Sequence, residues 1–135
     1  MVNVAATLAV AAANAVLDVI ADEGLLARAG MIGDAFRARL QKIAGSNVGA
    51  AIGDIRGLGA MIAFELVSDR DSHAPDAALA TRIVAEAEKR GLLLLTCGTR
   101  YNVVRMLPAL TVDDTLLTEA LDLLEQSYTA AVAAS

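Results

Sequence analysis

Among the residues able to do chemistry, Arg105 is the most unusual in its setting. It stands inside "YNVVRMLPALT", between Val103–Val104 and Met106–Leu107, with Pro108 as the breaker. That stretch reads as a strand following the turn-forming Gly98-Thr99-Arg100. A guanidinium does not give up its proton, and burying one without a partner costs roughly several kcal/mol. Three outcomes are open: Arg105 reaches water, it pairs with a carboxylate of the chain such as Glu65, or it receives an anion from outside. Composition and spacing do not choose among them.

The other candidates have plainer readings. Lys42 and Lys89 fall in polar contexts at helix ends, and neither sits in an apolar stretch that would lower its pKa for imine chemistry. His73 lies in the polar loop "SDRDSHAPD", which suits a solvated imidazole better than a general base. Cys97 follows a leucine run with no histidine near it and reads as a half-buried structural thiol. Ser46, Ser68 and Ser72 are loop serines outside any nucleophile elbow. "RGLG" at 56–59 does not open a helix after a strand, so it reads as a tight turn with Arg56 bracing it, not as a phosphate cradle.

The elements that must position these residues follow from periodicity. Helical segments are expected over about 5–21, with Leu8, Ala12, Ala15, Val16 and Val19 near one stripe, and over about 25–43, with Leu26, Met31, Phe36, Leu40 and Ile43 as apolar contacts. "IGDIRGLGAMIAFELVSDRD" predicts two strands joined at residues 57–59. In the second, Ile62, Phe64 and Leu66 share one face and Met61, Ala63 and Glu65 the other. A helix over about 75–90 stops at Gly91. "LLLLT" reads as a buried-type strand, the Arg105 strand follows, and "TVDDTLLTEALDLLEQSY" is an amphipathic helix with Thr111 as N-cap and Asp113 and Asp114 at its positive end. The order α-α-β-β-α-β-β-α describes an α+β fold: a small, largely antiparallel sheet packed with helices, in a single domain spanning residues 1–135.

Composition narrows the class. The chain has 135 residues, a net charge of −5 and a hydrophobic fraction of 56%, above the usual ~45–50%. Much of the excess is alanine, which fits close-packed helices or a face meant for a partner. The scattered basic residues form no stripe for nucleic acid. One cysteine and one histidine suit neither an intramolecular disulfide nor a zinc site, and point to a reducing compartment. The uncharged run 2–17 is too short and alanine-rich to span a membrane and lacks the basic start of a signal peptide, so a cytoplasmic location is expected.

The segments "LAVAAANAVLDVI", "DEGLLARA", "RGLGAMIAFEL", "RGLLLLTCG" and "NVVRMLPALT" resemble, in order, the C-terminal small domain of class III pyridoxal-phosphate-dependent aminotransferases, covering about residues 8–128. Within that class the sequence looks most like the 4-aminobutyrate aminotransferases. The resemblance implies an aminotransferase small-domain fold and amino transfer between 4-aminobutyrate and 2-oxoglutarate. It also implies that Arg105 grips a substrate carboxylate as a bidentate clamp, and that a large domain covers part of the surface.

The resemblance equally implies what these residues do not supply. Family members are much longer, and their large domain carries the lysine that holds pyridoxal phosphate covalently, the aspartate at its ring nitrogen and most phosphate contacts. The family has a Gly-Thr-x-x-Gly-Asn-Pro-like turn before the first matching helix. Here that stretch reads "MVNVAAT", with Val2 in the threonine's place and Ala6-Thr7 in place of Asn-Pro. Such a break is expected of a truncated chain, a separately started reading frame or an excised domain. The expectations are an isolated chain that holds no pyridoxal phosphate and has no catalytic residue or metal of its own. Its partners would be a carboxylate-bearing small molecule and a large domain, which a separate chain supplies if this is half of a split aminotransferase, or else a second copy of the chain if it persists as a non-enzymatic module.

Overall fold

A computed structural model describes the backbone of residues 4–134 and the side chains of residues 6–134; the mismatch at Val2 lies outside the described residues. Helices α1 (Val4–Asp22) and α2 (Leu25–Ala44) are separated by Gly24, whose φ of 62° makes the sharp turn between them. After a short 3-10 turn come strands β1 (Ile52–Leu58) and β2 (Met61–Asp69), the two-residue strand β3 (Ala74–Pro75), helix α3 (Ala77–Lys89), strands β4 (Leu95–Cys97) and β5 (Val103–Met106), and helix α4 (Asp114–Ala133). The expected α-β order is met, with β3 added.

The sheet runs β1-β2-β5-β4, every pair antiparallel, and β3 pairs with the far end of β2. Its inner face presents Ile62, Phe64 and Leu66 from β2 and Val104 and Met106 from β5, all buried. Three helices cover that face. From α2 come Ile32, Phe36, Leu40 and Ile43, spaced to fall on one stripe; from α3, Leu79, Ala80, Ile83 and Ala87; from α4, Leu117, Leu121, Leu124 and Tyr128. The Tyr128 hydroxyl donates to the Val48 carbonyl at 3.1 Å, and burial pushes this phenol up to about 12. Gly33 lets α2 approach the β1–β2 turn closely: a Cβ there would lie 2.0 Å from the Gly59 carbonyl oxygen. The helix stop at Gly91 is as expected, with φ 84° and the Leu92 amide donating back to the Ala87 carbonyl.

Four expectations need correcting. The cap of α4 is Asp113, whose carboxylate accepts from the Leu116 amide at 2.8 Å; Thr111 and Val112 belong to a preceding turn, so Thr111 is too early. Likewise Asp76 caps α3, and Pro75, placed at the helix start by sequence, pairs in β3 instead. Only Leu95–Cys97 of the leucine-rich stretch finds β5 to pair with. There Leu94 turns inward while Leu93 and Leu95 stay 83% and 66% exposed, so the stretch is not a buried strand. Finally, α1 forms, but its stripe of Leu8, Val16 and Val19 is exposed, as are Leu26 and Met31 of α2. Among the described residues α1 packs chiefly against α2.

Candidate functional site

β5 pairs with β2 on one side and β4 on the other, and the register sets Arg56, Ala63, Arg105 and Leu95 in one cross-strand row. Directly paired residues of a sheet share a face, so these four line the outer side, away from the helices. The adjacent row on the same face holds Asp54, Glu65, Val103 and Cys97. Glu65 thus sits diagonally between two arginines, within reach of either long side chain.

Glu65 goes to Arg56. The Arg56 Nη1 donates to Asp54 Oδ2 at 2.6 Å and to Glu65 Oε2 at 2.8 Å. The buried Asn102 supports that choice: its Nδ2 donates to Glu65 Oε1 at 3.3 Å and to the Leu66 carbonyl at 2.9 Å. Asp54 and Glu65 face each other across the ladder, and one guanidinium between them relieves their repulsion. The hydrogen bonds that Arg56 donates to Asp54 and Glu65 raise its pKa, and the bond from Arg56, aided by Asn102, holds the Glu65 carboxyl below its ordinary range.

Arg105 is thereby left without a carboxylate. Its side chain is exposed, and among the described residues none of the ion pairs or side-chain hydrogen bonds involves it. Of the three outcomes open from sequence, the pairing with Glu65 does not occur. Arg105 helps line an apolar groove of about 410 Å³ at the β4 edge of the sheet, walled by Phe36, Leu92–Leu95, Met106, Leu107, Pro108, Ala120 and Leu124.

The remaining candidates do not gather around it. Lys42 is paired with Glu125 at 3.0 Å and Lys89 with Glu86 at 2.6 Å, both on exposed helix surface. His73 is exposed in its loop with φ 50°. Cys97 is half-buried on β4. The hydroxyls of Ser46 and Ser68 donate to main-chain carbonyls and that of Ser72 to Asp69, which lowers the Asp69 pKa. The β1–β2 turn is Gly59-Ala60, with Gly59 at φ 53°, one step beyond the expected joint; Gly57, at φ 152°, is still paired with Ile62 in β1. Among the described residues no cluster of His, Cys, Asp and Glu could hold a metal ion, and no helix is long and apolar enough to cross a membrane.

Sequence reasoning missed Asp54, Asn102 and the groove. Asp54 was legible: it lies two residues before Arg56 on a strand, hence on the same face. Asn102 and the groove depend on how β4 and α4 meet β5, which local patterns do not encode.

The chain's fold and sequence have clear counterparts. The family model for class III aminotransferases matches residues 4–127. A 5-aminovalerate aminotransferase of Pseudomonas aeruginosa is 43% identical over 121 residues, and a 4-aminobutyrate aminotransferase of Escherichia coli 44% over 121 residues; each alignment covers 90% of this chain. The chain spans 28% of the length of those relatives. Among solved structures, an Arthrobacter phospholyase in complex with phosphoethanolamine superposes with a TM-score of 0.75 at 29% identity, covering 86% of this chain and 27% of that one. A pyridoxal-phosphate-bound aminotransferase variant from Vibrio fluvialis does so with a TM-score of 0.73 at 28% identity, covering 86% and 25%. The chain therefore belongs to the class III aminotransferases, a pyridoxal-phosphate-dependent family.

Proposed function

We propose that residues 1–135 act as the small domain of a class III aminotransferase and that Arg105 is its receptor for a substrate carboxylate. The observation that carries this reading is the contrast within one cross-strand row: Arg56 is held by two carboxylates, while among the described residues Arg105 has none. A guanidinium fork matches a carboxylate in a bidentate manner, and such charge-assisted bonds are worth about 1.5–3 kcal/mol. The named substrates of the relatives, 5-aminovalerate and 4-aminobutyrate, are amino acids with a carboxylate at the far end from the amine. An amino acid of that kind is the substrate assigned here.

The residues of this chain do not fit the cofactor's covalent anchor. Its lysines, Lys42 and Lys89, are both on exposed helix surface and held by glutamates. The isolated 135-residue chain is accordingly assigned no transamination of its own. Pyridoxal phosphate added to it leaves no stoichiometric adduct after borohydride, by absorbance and intact mass; one adduct mapped to Lys42 or Lys89 contradicts the assignment.

The receptor role is tested in a chimera in which this chain replaces the matching segment of the E. coli 4-aminobutyrate aminotransferase. Arg105→Gln there raises KM for 4-aminobutyrate about 10- to 100-fold and leaves turnover of an amine without a carboxylate unchanged. An unchanged KM for 4-aminobutyrate removes Arg105 from the role.

The exposed stripe of α1, with Leu8 at 71% exposure, favours a second reading: a module that associates with itself, or half of a split enzyme. Sedimentation separates these. A stable dimer of the pure chain supports self-association, whereas a monomer that captures an aminotransferase large domain supports the split enzyme.

A further inference from the structure

At the end of the sheet away from the β1–β2 turn, the loop between β2 and β3 comes beside the turn between β4 and β5. Glu65, Val103 and Cys97 form one row across β2, β5 and β4, and β3 pairs with β2 at Val67 and Asp69. The connections at 70–73 and 98–102 leave a polar cleft of about 260 Å³, lined by His73, Thr99, Arg100 and Asn102 and by Arg56 and Glu65 of the outer face. Arg105 is not among its lining residues. We propose that this cleft is a site for a phosphate group, free or as the head of a monoester, held chiefly by Arg100 and His73. The site is separate from the carboxylate receptor and does not depend on it.

Charge comes first. The Arg100 side chain makes no ion pair or hydrogen bond among the described residues, and His73 makes none either, with only the charge of Asp69 nearby. Glu65 does not answer them, since its Oε2 takes Arg56 and its Oε1 takes Asn102. Asp54 and Glu65 together match Arg56, so the charge of Arg100 is the one left over, and an anion is what it can take. Backbone strain points to the same place. Among the described residues, the non-glycine positions with left-handed φ are His73 at 50° and Tyr101 at 54°. His73 lines the cleft, and Tyr101 lies between Arg100 and Asn102, which also line it. Strain of this kind gathers where ligands are held. The donors then select the anion. Arg100 and the Thr99 hydroxyl, which bonds to nothing among the described residues, stand on one loop and His73 on the other. A tetrahedral anion turns oxygens toward both loops at once, whereas the two coplanar oxygens of a carboxylate suit a single fork. The volume falls below the roughly 300 Å³ at which pockets for organic molecules begin, so the head group enters and any ester substituent stays outside.

The experiment is a titration of the 135-residue chain with inorganic phosphate, methyl phosphate and acetate at fixed ionic strength, followed by amide shifts. Saturating shifts are expected at His73, Thr99, Arg100 and Asn102. Arg100→Gln is expected to weaken phosphate about tenfold or more and His73→Gln about threefold. Lys42→Gln, which removes the same charge from α2, leaves the affinity unchanged. The amide spectrum of each variant shows whether it is folded. Methyl phosphate binding as tightly as inorganic phosphate marks a monoester head, and binding of inorganic phosphate alone marks the free ion; either supports the site. Equal affinity for acetate overturns the choice of phosphate and the proposal with it. Shifts that never saturate, or that weaken as much in Lys42→Gln as in Arg100→Gln, report only the general field of the protein and overturn it too. Phosphate shifts lost in Arg105→Gln but kept in Arg100→Gln move the anion to the receptor, so the cleft falls while the receptor stands. An absence of shifts overturns the cleft and leaves the receptor untouched.

Discussion

At the β1 edge of the sheet the charged side chains of the outer face are paired. Arg56 bridges Asp54 and Glu65, Arg37 donates to the Gly57 carbonyl at 2.8 Å, and Gly33 of α2 presses on the Gly59 carbonyl. At the β4 edge the same sheet is unfinished. Among the described residues Arg105 has no carboxylate partner, Leu93, Leu95 and Leu107 are exposed, and Tyr101 holds a left-handed φ of 54°. Both edges are built from the same strand alternation, so the difference lies in what packs against them. The closed edge is braced by α2 and by its own hairpin, while the open edge leaves Arg105 and its leucines exposed. Stability should therefore reside at the first edge and binding at the second.

The largest effect is expected where the closed edge is tightest. Gly33→Ala places a Cβ against the Gly59 carbonyl, with a second close approach of 2.8 Å to its carbon. Neither atom belongs to a flexible side chain, so α2 and the hairpin must separate. The expected loss is about 3 kcal/mol, read as a lower denaturation midpoint in urea. A loss below about 1 kcal/mol would show that the hairpin shifts freely and that the closed edge is less rigid than its contacts suggest.

A sharper test exchanges like for like across the row. Arg56→Met leaves Asp54 and Glu65 facing each other without a cation, and should cost about 1 kcal/mol at neutral pH. Arg105→Met removes no ion pair or hydrogen bond seen among the described residues and should change stability by less than about 0.5 kcal/mol, while under the proposed receptor role it should weaken carboxylate binding. The pH dependence gives the comparison a signature. The folded-state pKa of Glu65 is depressed, first by the Arg56 hydrogen bond. Its contribution is present above the ordinary glutamate value of about 4.3 and is lost as pH falls through the depressed value. Arg56→Met should flatten that acid slope in urea denaturation, and Arg105→Met should leave it intact. Equal costs for the two variants would dissolve the distinction between the edges.

How far this could be read without coordinates differs between the two edges as well. The strands, their alternation and the glycine turn were legible because Ile62, Phe64 and Leu66 alternate with Met61, Ala63 and Glu65, and because glycine marks a φ that other residues avoid. Arg105 stood out for the same reason: a charge breaks a strand's apolar pattern. Its partner was not legible, since Glu65 is diagonal to two arginines and only the buried Asn102 and the opposing Asp54 decide between them. The exposure of Leu93 and Leu95 was misread because a leucine run carries no sign of which residues find a neighbouring strand. The apolar stripe of α1 predicted a helix correctly but not burial, because burial needs a second surface and periodicity shows only the first.

The smallest expected effect concerns strain at the open edge. Tyr101 precedes β5, is 66% exposed, and takes φ 54° while its amide donates to the Gly98 carbonyl at 3.3 Å. For a residue with a Cβ the left-handed region costs roughly 1–2 kcal/mol, and an exposed ring returns little of that in packing. Tyr101→Gly relieves the strain but gives the unfolded chain more freedom to lose. The net gain should be about 0.5 kcal/mol, resolved best by paired urea titrations. A gain there with no change in carboxylate affinity would mean that the turn only carries the chain into β5. A gain accompanied by weaker binding would mean that the strained turn helps to set Arg105 in place. Strain kept beside a receptor would then account for a tyrosine where glycine is the easier residue.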